Sequence, residues 1–352
     1  MGEGVREYDV ALCGYFGFDN FGDEMLLASA VQNLLECGVP RERICVFSNA
    51  PEDTQKKFSI RSYDRWNRKV VRSALSRSRS LLFPGGGLFQ DSTSVKSCLY
   101  YWGVARMAWA SGCSVWALGQ SVGPLSTFAG KWLTKNAMKR MDFLSVRDKA
   151  SHDVLRTFGV DAKTMPDLVF GLQVPDVVSD SSGPFLVNIR PSIRNPESVR
   201  SMLAAIRSIA ASGREVRGIA MSPEDARVFV QYHEEGAIPP FEVATPRSIS
   251  EFAGASNGCA AAIGMRLHFA IFSLLLGLPV FVSAYDPKVS SFAENFAIPS
   301  LPDEGCADVF DFIMKTLTKA RIHDKKSQRQ LSAVVSRFFE EGLSCAMEKG
   351  PK

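Results

Sequence analysis

Arg266 and His268 stand two residues apart inside one of the most apolar stretches of the chain, AAAIGMRLHFAIFSLLLGLPVFVSAYDPK (260–288), and Lys288 closes it. A guanidinium, an imidazole and an amine together can hold an anion and move a proton. Singly, an Arg at a helix start can pair with a structural carboxylate, and a lone His can be a satisfied core residue. Charged groups are seldom left together in apolar surroundings without a partner or a task, so the combination points to a site. A membrane span needs about 20 apolar residues with few charges. The two cations, with Gly277 and Pro279, exclude one here. The pattern predicts a strand over 259–263, a turn at Gly264, a helix over 267–276 and a second buried strand over 280–283. Ligands of open α/β sheets sit at such strand-to-helix junctions. Tyr285, Asp286 and Lys288 follow the second strand and are expected at the same edge.

A second group of chemically capable residues lies near the N-terminus. A strand over 8–13 runs directly into GYFGFDNFGDEMLL (14–27). Gly14, Gly17 and Gly22, with Asn20 beside them, let backbone amides approach an anion at the start of a helix. The spacing is neither a dinucleotide fingerprint nor a P-loop. Asp23 reads either as a helix-start carboxylate or as a general base at the mouth of the sheet. Further strand ends deliver polar groups. Gly85, Gly86 and Gly87, then Gln90, follow a strand over 80–84; Gln120 follows one over 115–118; Arg147 follows one over 143–146. Residues 165–170 read as the last strand of this half. The basic run with Arg61, Arg65, Arg68, Lys69 and Arg72 reads as a solvated helix face that also suits an anionic lipid surface or a phosphorylated ligand.

These groups need a frame. Strands and helices alternate throughout, which argues a parallel, helix-covered sheet. The pattern restarts after the polar, turn-rich segment 173–183, with strands at 185–189, 216–221 and 241–243. A chain of 352 residues exceeds one typical core. The expectation is therefore an α/β protein of two Rossmann-like domains, 1–175 on the acceptor side and 184–325 on the donor side. A GT-B-like arrangement with an interdomain cleft follows by fold analogy. Residues 326–352 are expected to form a helix that packs back through Phe338 and Phe339, after a basic junction at Lys319, Arg321, Lys325, Lys326 and Arg329.

Composition narrows the function classes. With 46% hydrophobic and 22% charged residues the chain is neither disordered nor membrane-embedded. Lys and Arg number 41 against 37 Asp and Glu, so overall charge gives no footprint for nucleic acid, which is not expected as a partner. The eight cysteines form no CxxC pair and include none of the spacings of a zinc site. They read as reduced core thiols, and with no leader pattern at the N-terminus the expected location is the cytoplasm, with peripheral contact at the inner membrane face. No metal and no cofactor is expected.

Six segments together resemble the polysaccharide pyruvyl transferase family, in particular bacterial cell-wall enzymes of the CsaB type. They are GYFGFDNFGDEMLL (14–27), GGGLFQD (85–91), LGQSVGPL (118–125), SVRDKAS (145–151), PDLVF (166–170) and IGMRLHFAIFSLLLGLPVFVSAYDPKV (263–289). The resemblance implies a GT-B-like fold and transfer of pyruvate from phosphoenolpyruvate (PEP) to a sugar as a cyclic ketal, with release of phosphate. The implied acceptor is a lipid-linked, N-acetylmannosamine-containing precursor. PEP, a co-substrate, brings a phosphate and a carboxylate, for which Arg147, Arg266, His268 and Lys288 are the expected binding groups. Asp23 is the expected base on the sugar hydroxyl and His268 the acid on the methylene carbon, with Arg147 beside them. Asn20, Gly22, Gly86, Gly87, Gln90 and Gln120 are expected to line the acceptor side. Two other readings use the same features: a GT-B glycosyltransferase with a nucleotide-sugar donor, and a non-catalytic sugar-phosphate binding protein.

Overall fold

The computed structural model describes residues 6–92, 94–191, 195–302, 309–317 and 325–348. Cys306, Lys319 and Arg321 lie outside the described residues. The chain divides into two compact units. The first takes Met1–Phe18, Asp23–Leu172 and Gln330–Lys352; the second takes Asp19–Gly22 and Gln173–Arg329.

The first unit holds β1 (Tyr8–Cys13), β2 (Ile44–Ser48), β3 (Arg61–Asp64), β4 (Ser78–Phe89), β5 (Ser114–Val122), β6 (Phe143–Val146) and β7 (Lys163–Thr164). They form one parallel sheet in the order β3-β2-β1-β4-β5-β6-β7. Leu12 of β1 sits opposite Val46 on one side and Leu82 on the other. β2 and β5 are buried at every position, as expected of interior parallel strands with helices on both faces. The order reverses between β1 and β4, so the loops after these strands flank a switch point. The last helix, Lys325–Glu348, lays Phe339 edge-on to Trp116 (ring centroids 6.5 Å apart) and Phe338 against Phe143 (6.2 Å).

Three local expectations are corrected here. β3 occupies part of the basic run that reads as a helix face; the helix starts only at Arg68. RSYD shows no apolar alternation because β3 is an edge strand with two exposed ends. β4 does not stop before the glycines but runs through them to Phe89. Gly85 and Gly86 take positive φ (73° and 83°), and the register against β5 shifts between Gly86 and Phe89, so the glycines form an irregularity within the strand. Finally, 165–170 is not a strand. β7 ends at Thr164, and Leu168–Gly171 is a 3-10 turn whose start is capped by Asp167.

The second unit holds β8 (Phe185–Asn188), β9 (Val216–Ile219), β10 (Val243–Ala244), β11 (Ala261–Gly264) and β12 (Val280–Val282), parallel in the order β10-β9-β8-β11-β12. Its switch point lies between β8 and β11. The helices start on polar caps: Asn195 before Pro196–Ala211, Ser222 before Pro223–Glu234, Ser248 before Ile249–Ser256. The helix Leu267–Leu275 ends on Gly277 at φ 76°, with the Leu278 amide donating back to the Ser273 carbonyl at 3.0 Å. Asp19–Gly22 joins this unit because Phe21 stacks on Phe252 (5.7 Å) and meets Phe272 edge-on (5.2 Å), while its amide donates to the Met221 carbonyl at 2.8 Å.

Candidate active site

Each sheet presents its C-terminal edge separately, and the expected residues divide between the two. In the second unit the edge is built on Asp225, which is fully buried. One of its oxygens accepts from Arg266 Nε (2.6 Å), from the Met221 amide (3.1 Å) and from Asn188 Nδ2 (3.2 Å); the other accepts from Arg266 Nη2 at 2.6 Å. Arg266 Nη2 also reaches Ser222 Oγ at 2.8 Å. The guanidinium is thus gripped in bidentate fashion, and its side chain is 12% exposed. Burial works against its charge, but Asp225 outweighs this and holds the pKa above the ordinary value.

Arg266 is the N-cap of the helix Leu267–Leu275 and gives no side-chain cap bond, so it fixes the helix start from outside. His268 lies in the first turn, half-buried, with its ring 6.2 Å from that of Phe272. Its imidazole packs directly on the Gly22 backbone: a Cβ at Gly22 would fall 2.0 Å from His268 Nδ1. Asn20 Oδ1 caps the Gly22 amide at 3.2 Å. Asn20, Gly22, Arg266 and His268 are therefore brought together. Asp286 accepts from the Lys288 amide (2.9 Å), which sets the half-buried Lys288 in the first turn of Pro287–Phe296 at the end of β12.

Sequence reasoning left Arg190 unassigned, although it lies two residues beyond the end of β8. Its guanidinium lies 5.0 Å from the Tyr285 ring centre, and Nη1 donates to the Tyr285 hydroxyl. Burial raises the Tyr285 phenol, while Arg190 and Arg266 pull it back down, so both cations act on one phenol at this edge. The available signal was position: a cation just beyond the first strand of a Rossmann-like unit.

In the first unit, Asp23 sits in the first turn of Phe21–Glu36 and is half-buried. Its Oδ1 would lie 3.4 Å from a Cβ at Gly86, so the glycine run gives this carboxylate room. Gly85 packs against Leu26 in the same way, and Gly87 is half-buried beside it. Three of the expected residues at this edge are held by partners within the unit. Gln120 lies within β5, fully buried, and Nε2 donates to the carbonyls of Phe83 (2.8 Å) and Gly85 (2.9 Å); it holds the glycine strand in place instead of lining a loop. Gln90 Oε1 accepts from the Ser92 amide at 2.9 Å and is turned onto its own loop. Arg147, its side chain 7% exposed, donates to Ser121 Oγ at 2.7 Å and pairs with Asp167. Its charge is offset inside the unit. Among the described residues no group of three or more His, Cys, Asp or Glu could hold a metal ion.

A groove of 1260 Å³ runs along β3, lined by Arg41, Lys56, Arg61 and Tyr63 among others. It contains none of the candidate residues.

The sequence model of the polysaccharide pyruvyl transferase family matches residues 20–287. No curated protein matches the chain. Among solved structures, the chain is similar to UDP-GlcNAc 2-epimerase from Methanocaldococcus jannaschii at TM-score 0.60 and 9% identity, over 94% of this chain and 99% of that one. It is also similar to S. aureus MnaA in a structure with UDP, at TM-score 0.62 and 10% identity over 96% and 94%. The lipopolysaccharide outer core galactosyltransferase WaaB matches at TM-score 0.51 and 11% identity over 97% and 99%. At such identities the likeness shows the fold alone: two parallel-sheet α/β units of the GT-B type.

Proposed function

The chain belongs to the polysaccharide pyruvyl transferase family, and from that premise we propose that it moves pyruvate from PEP onto a sugar as a cyclic ketal. The acceptor we propose is a lipid-linked saccharide containing N-acetylmannosamine, as in cell-wall enzymes of the CsaB type. The observation that supports this most directly is the imidazole of His268 seated on Gly22, beside cations at the second unit's switch point. PEP needs cations for its two anionic groups and an acid for its methylene carbon; it needs no base pocket.

In this reading Arg190, Lys288 and the first amides of Leu267–Leu275 take the phosphate and carboxylate. Arg266, committed to Asp225, holds the helix start in place. Arg147, committed to Asp167, does the equivalent work in the first unit. Asp23 takes the proton of the attacking sugar hydroxyl as its oxygen bonds to C2 of PEP. His268 gives a proton to C3, which becomes the methyl group. A second hydroxyl then bonds to C2 as the C2–O bond to phosphate breaks, and its proton leaves with the phosphate as hydrogen phosphate. An imidazole suits the acid because its ordinary pKa lies near neutrality.

Among the described residues no helix is long and apolar enough to cross a membrane. Peripheral contact with the acceptor's lipid is supported by Phe128 (85% exposed) and Trp132 (50%) on a helix that also carries exposed Lys131 and Lys135.

The test follows melting temperature and phosphate release together. PEP, and not pyruvate, is expected to raise the melting temperature. His268→Ala is expected to keep that rise and lose about 10²- to 10⁴-fold in turnover. A rise with a UDP-sugar and none with PEP sinks the proposal in favour of glycosyl transfer.

A further inference from the structure

Arg65, immediately after β3, is 4% exposed and so does not belong to the solvated basic face expected around it. Its guanidinium carbon lies 4.4 Å from the ring centre of Tyr100, 5.1 Å from Phe18, 5.2 Å from Trp66 and 5.7 Å from Tyr101. Nη1 donates to the Gly14 carbonyl at 2.7 Å and Nη2 to the Tyr101 hydroxyl at 3.3 Å, while Nε is buried with no partner. No carboxylate among the described residues pairs with it. The nearest in sequence, Asp64, accepts the Trp66 amide at 2.8 Å. A buried cation held by rings, one carbonyl and one hydroxyl keeps its charge, and the four rings are the wall that charge acts through.

Part of that wall is open to solvent. Trp66 is 58% exposed, and Tyr15, stacked on the Phe18 ring of that wall, is 42% exposed. Both have defined partners. Trp66 Nε1 donates to Asn49 Oδ1 at 2.8 Å, and Asn49 Nδ2 donates to the Gly17 carbonyl at 3.1 Å. Tyr15 stacks on Phe18 with centroids 4.1 Å apart and planes 8° apart. The face lies at the ends of β1, β2 and β3, on the ligand-binding edge of the sheet. Burial raises the Tyr101 phenol while the charge of Arg65 draws it back down.

We propose that Trp66, beside Arg65, and Tyr15, stacked on Phe18, form the acceptor subsite and take a hexose that carries a phosphate. The C–H face of the sugar ring lies on the exposed indole and phenol, as apolar sugar faces do on rigid aromatic surfaces. The phosphate answers the uncompensated charge of Arg65, which is a positioning residue, acting through its field and the rings it fixes. The proposal rests on the acceptor being a saccharide, as proposed above.

Calorimetric titration of the full chain without PEP tests it, using N-acetylmannosamine 1-phosphate, N-acetylmannosamine, inorganic phosphate and phosphatidylglycerol vesicles. The sugar phosphate is expected to bind at least tenfold tighter than the neutral sugar or phosphate alone. Trp66→Ala is expected to weaken it at least tenfold and Trp66→Phe less than threefold, at unchanged melting temperature. Arg65→Met is expected to erase the preference for the phosphorylated sugar; if that variant does not fold, the tryptophan pair carries the test. Comparing a farnesyl-diphosphate-linked sugar with a UDP-linked one tells whether lipid or nucleotide carries the phosphate, and tighter binding of either than of the neutral sugar supports the subsite. Wild-type affinity in Trp66→Ala, or binding to vesicles and not to the sugar phosphate, overturns it. Because PEP is absent, a protein that binds the sugar phosphate through Trp66 and ignores PEP loses the pyruvyl reading and keeps this one.

Discussion

Two buried guanidiniums stand at the ligand edges of the two sheets, and they are stabilised by opposite means. Arg266 is locked in a bidentate pair with Asp225 and further bonded to Ser222. Among the described residues Arg65 has no carboxylate partner, and four aromatic rings surround it. An ion pair fixes geometry but cancels its own field; an aromatic box leaves the field standing. The first unit does not lack buried carboxylates. Glu24 accepts from the Gly17 amide, Asp91 from Ser126 and Thr127, Asp148 from Ser121 and Ser151, and Asp167 from Arg147 and Val169. All are committed elsewhere, so the residual charge at Arg65 is a property of the arrangement and not of composition.

Breaking the paired side is expected to have the largest effect. Asp225→Ala strands a buried guanidinium and should cost about 3–5 kcal/mol of unfolding free energy. Adding Arg266→Met removes the stranded charge and should restore part of the loss, which urea unfolding of the single and double variants would show. Equal stability of the wild type and Asp225→Ala would erase the contrast.

The carboxylates of the first unit give the next effect. Asp91 is buried, and although burial raises its pKa, the hydroxyl of Thr127 and the amides and hydroxyl around it pull the net value down to about 2, from an ordinary 3.8. A depressed carboxylate contributes stability that is fully present above its unfolded pKa and disappears as pH falls through its folded one. The contribution, roughly 2 kcal/mol, should fade between about pH 4 and pH 2. Asp91→Asn should flatten that part of the stability–pH curve; an unchanged curve would show that these bonds are not worth their geometry.

Arg65→Met sharpens the comparison from the other side. It strands no counter-charge and replaces the guanidinium with a group the rings can pack against. The loss of cation–π contacts and two hydrogen bonds should be largely offset by the relief of desolvation, leaving about 1–2 kcal/mol. A cost matching that of Asp225→Ala would mean that Arg65 has a partner charge after all. The smallest effect is expected at the rim. Lys163 pairs with Glu341 at 2.6 Å with both groups well exposed, and Lys163→Ala should change the unfolding midpoint by no more than the equivalent of about 1 kcal/mol.

The contrast also marks what the sequence discloses. Apolar runs at 8–13, 44–47 and 259–263 identify interior parallel strands because burial on both faces demands apolar residues throughout. Arg266 and His268 are conspicuous because charge inside such a run is locally anomalous. What neutralises the charge is not local: Asp225 lies 41 residues before Arg266 and meets it only through the sheet order. Arg65 is misread for the same reason. It sits among Arg61, Arg68, Lys69 and Arg72, which are exposed, and the rings of Phe18, Tyr100 and Tyr101 that surround it come from distant parts of the sequence. Gln120 illustrates the third kind of error: a polar residue near a strand end suggests a loop, but its amide pairs with the carbonyls that the glycine strand leaves open.

The chain leaves the first unit after Phe18, spends Asp19–Gly22 in the second, and returns at Asp23. Those few residues carry Phe21, wedged between Phe252 and Phe272, and Gly22, under His268. Neither unit is therefore encoded by one uninterrupted stretch of gene. A single recombination event at the 173–183 segment would give a chimera whose second unit is filled by another parent's aromatic plug and capped by another parent's glycine. Lineages that shuffle halves at that point must keep the tetrapeptide and its distant socket compatible, so positions 19–22 are inherited functionally with residues more than two hundred places away.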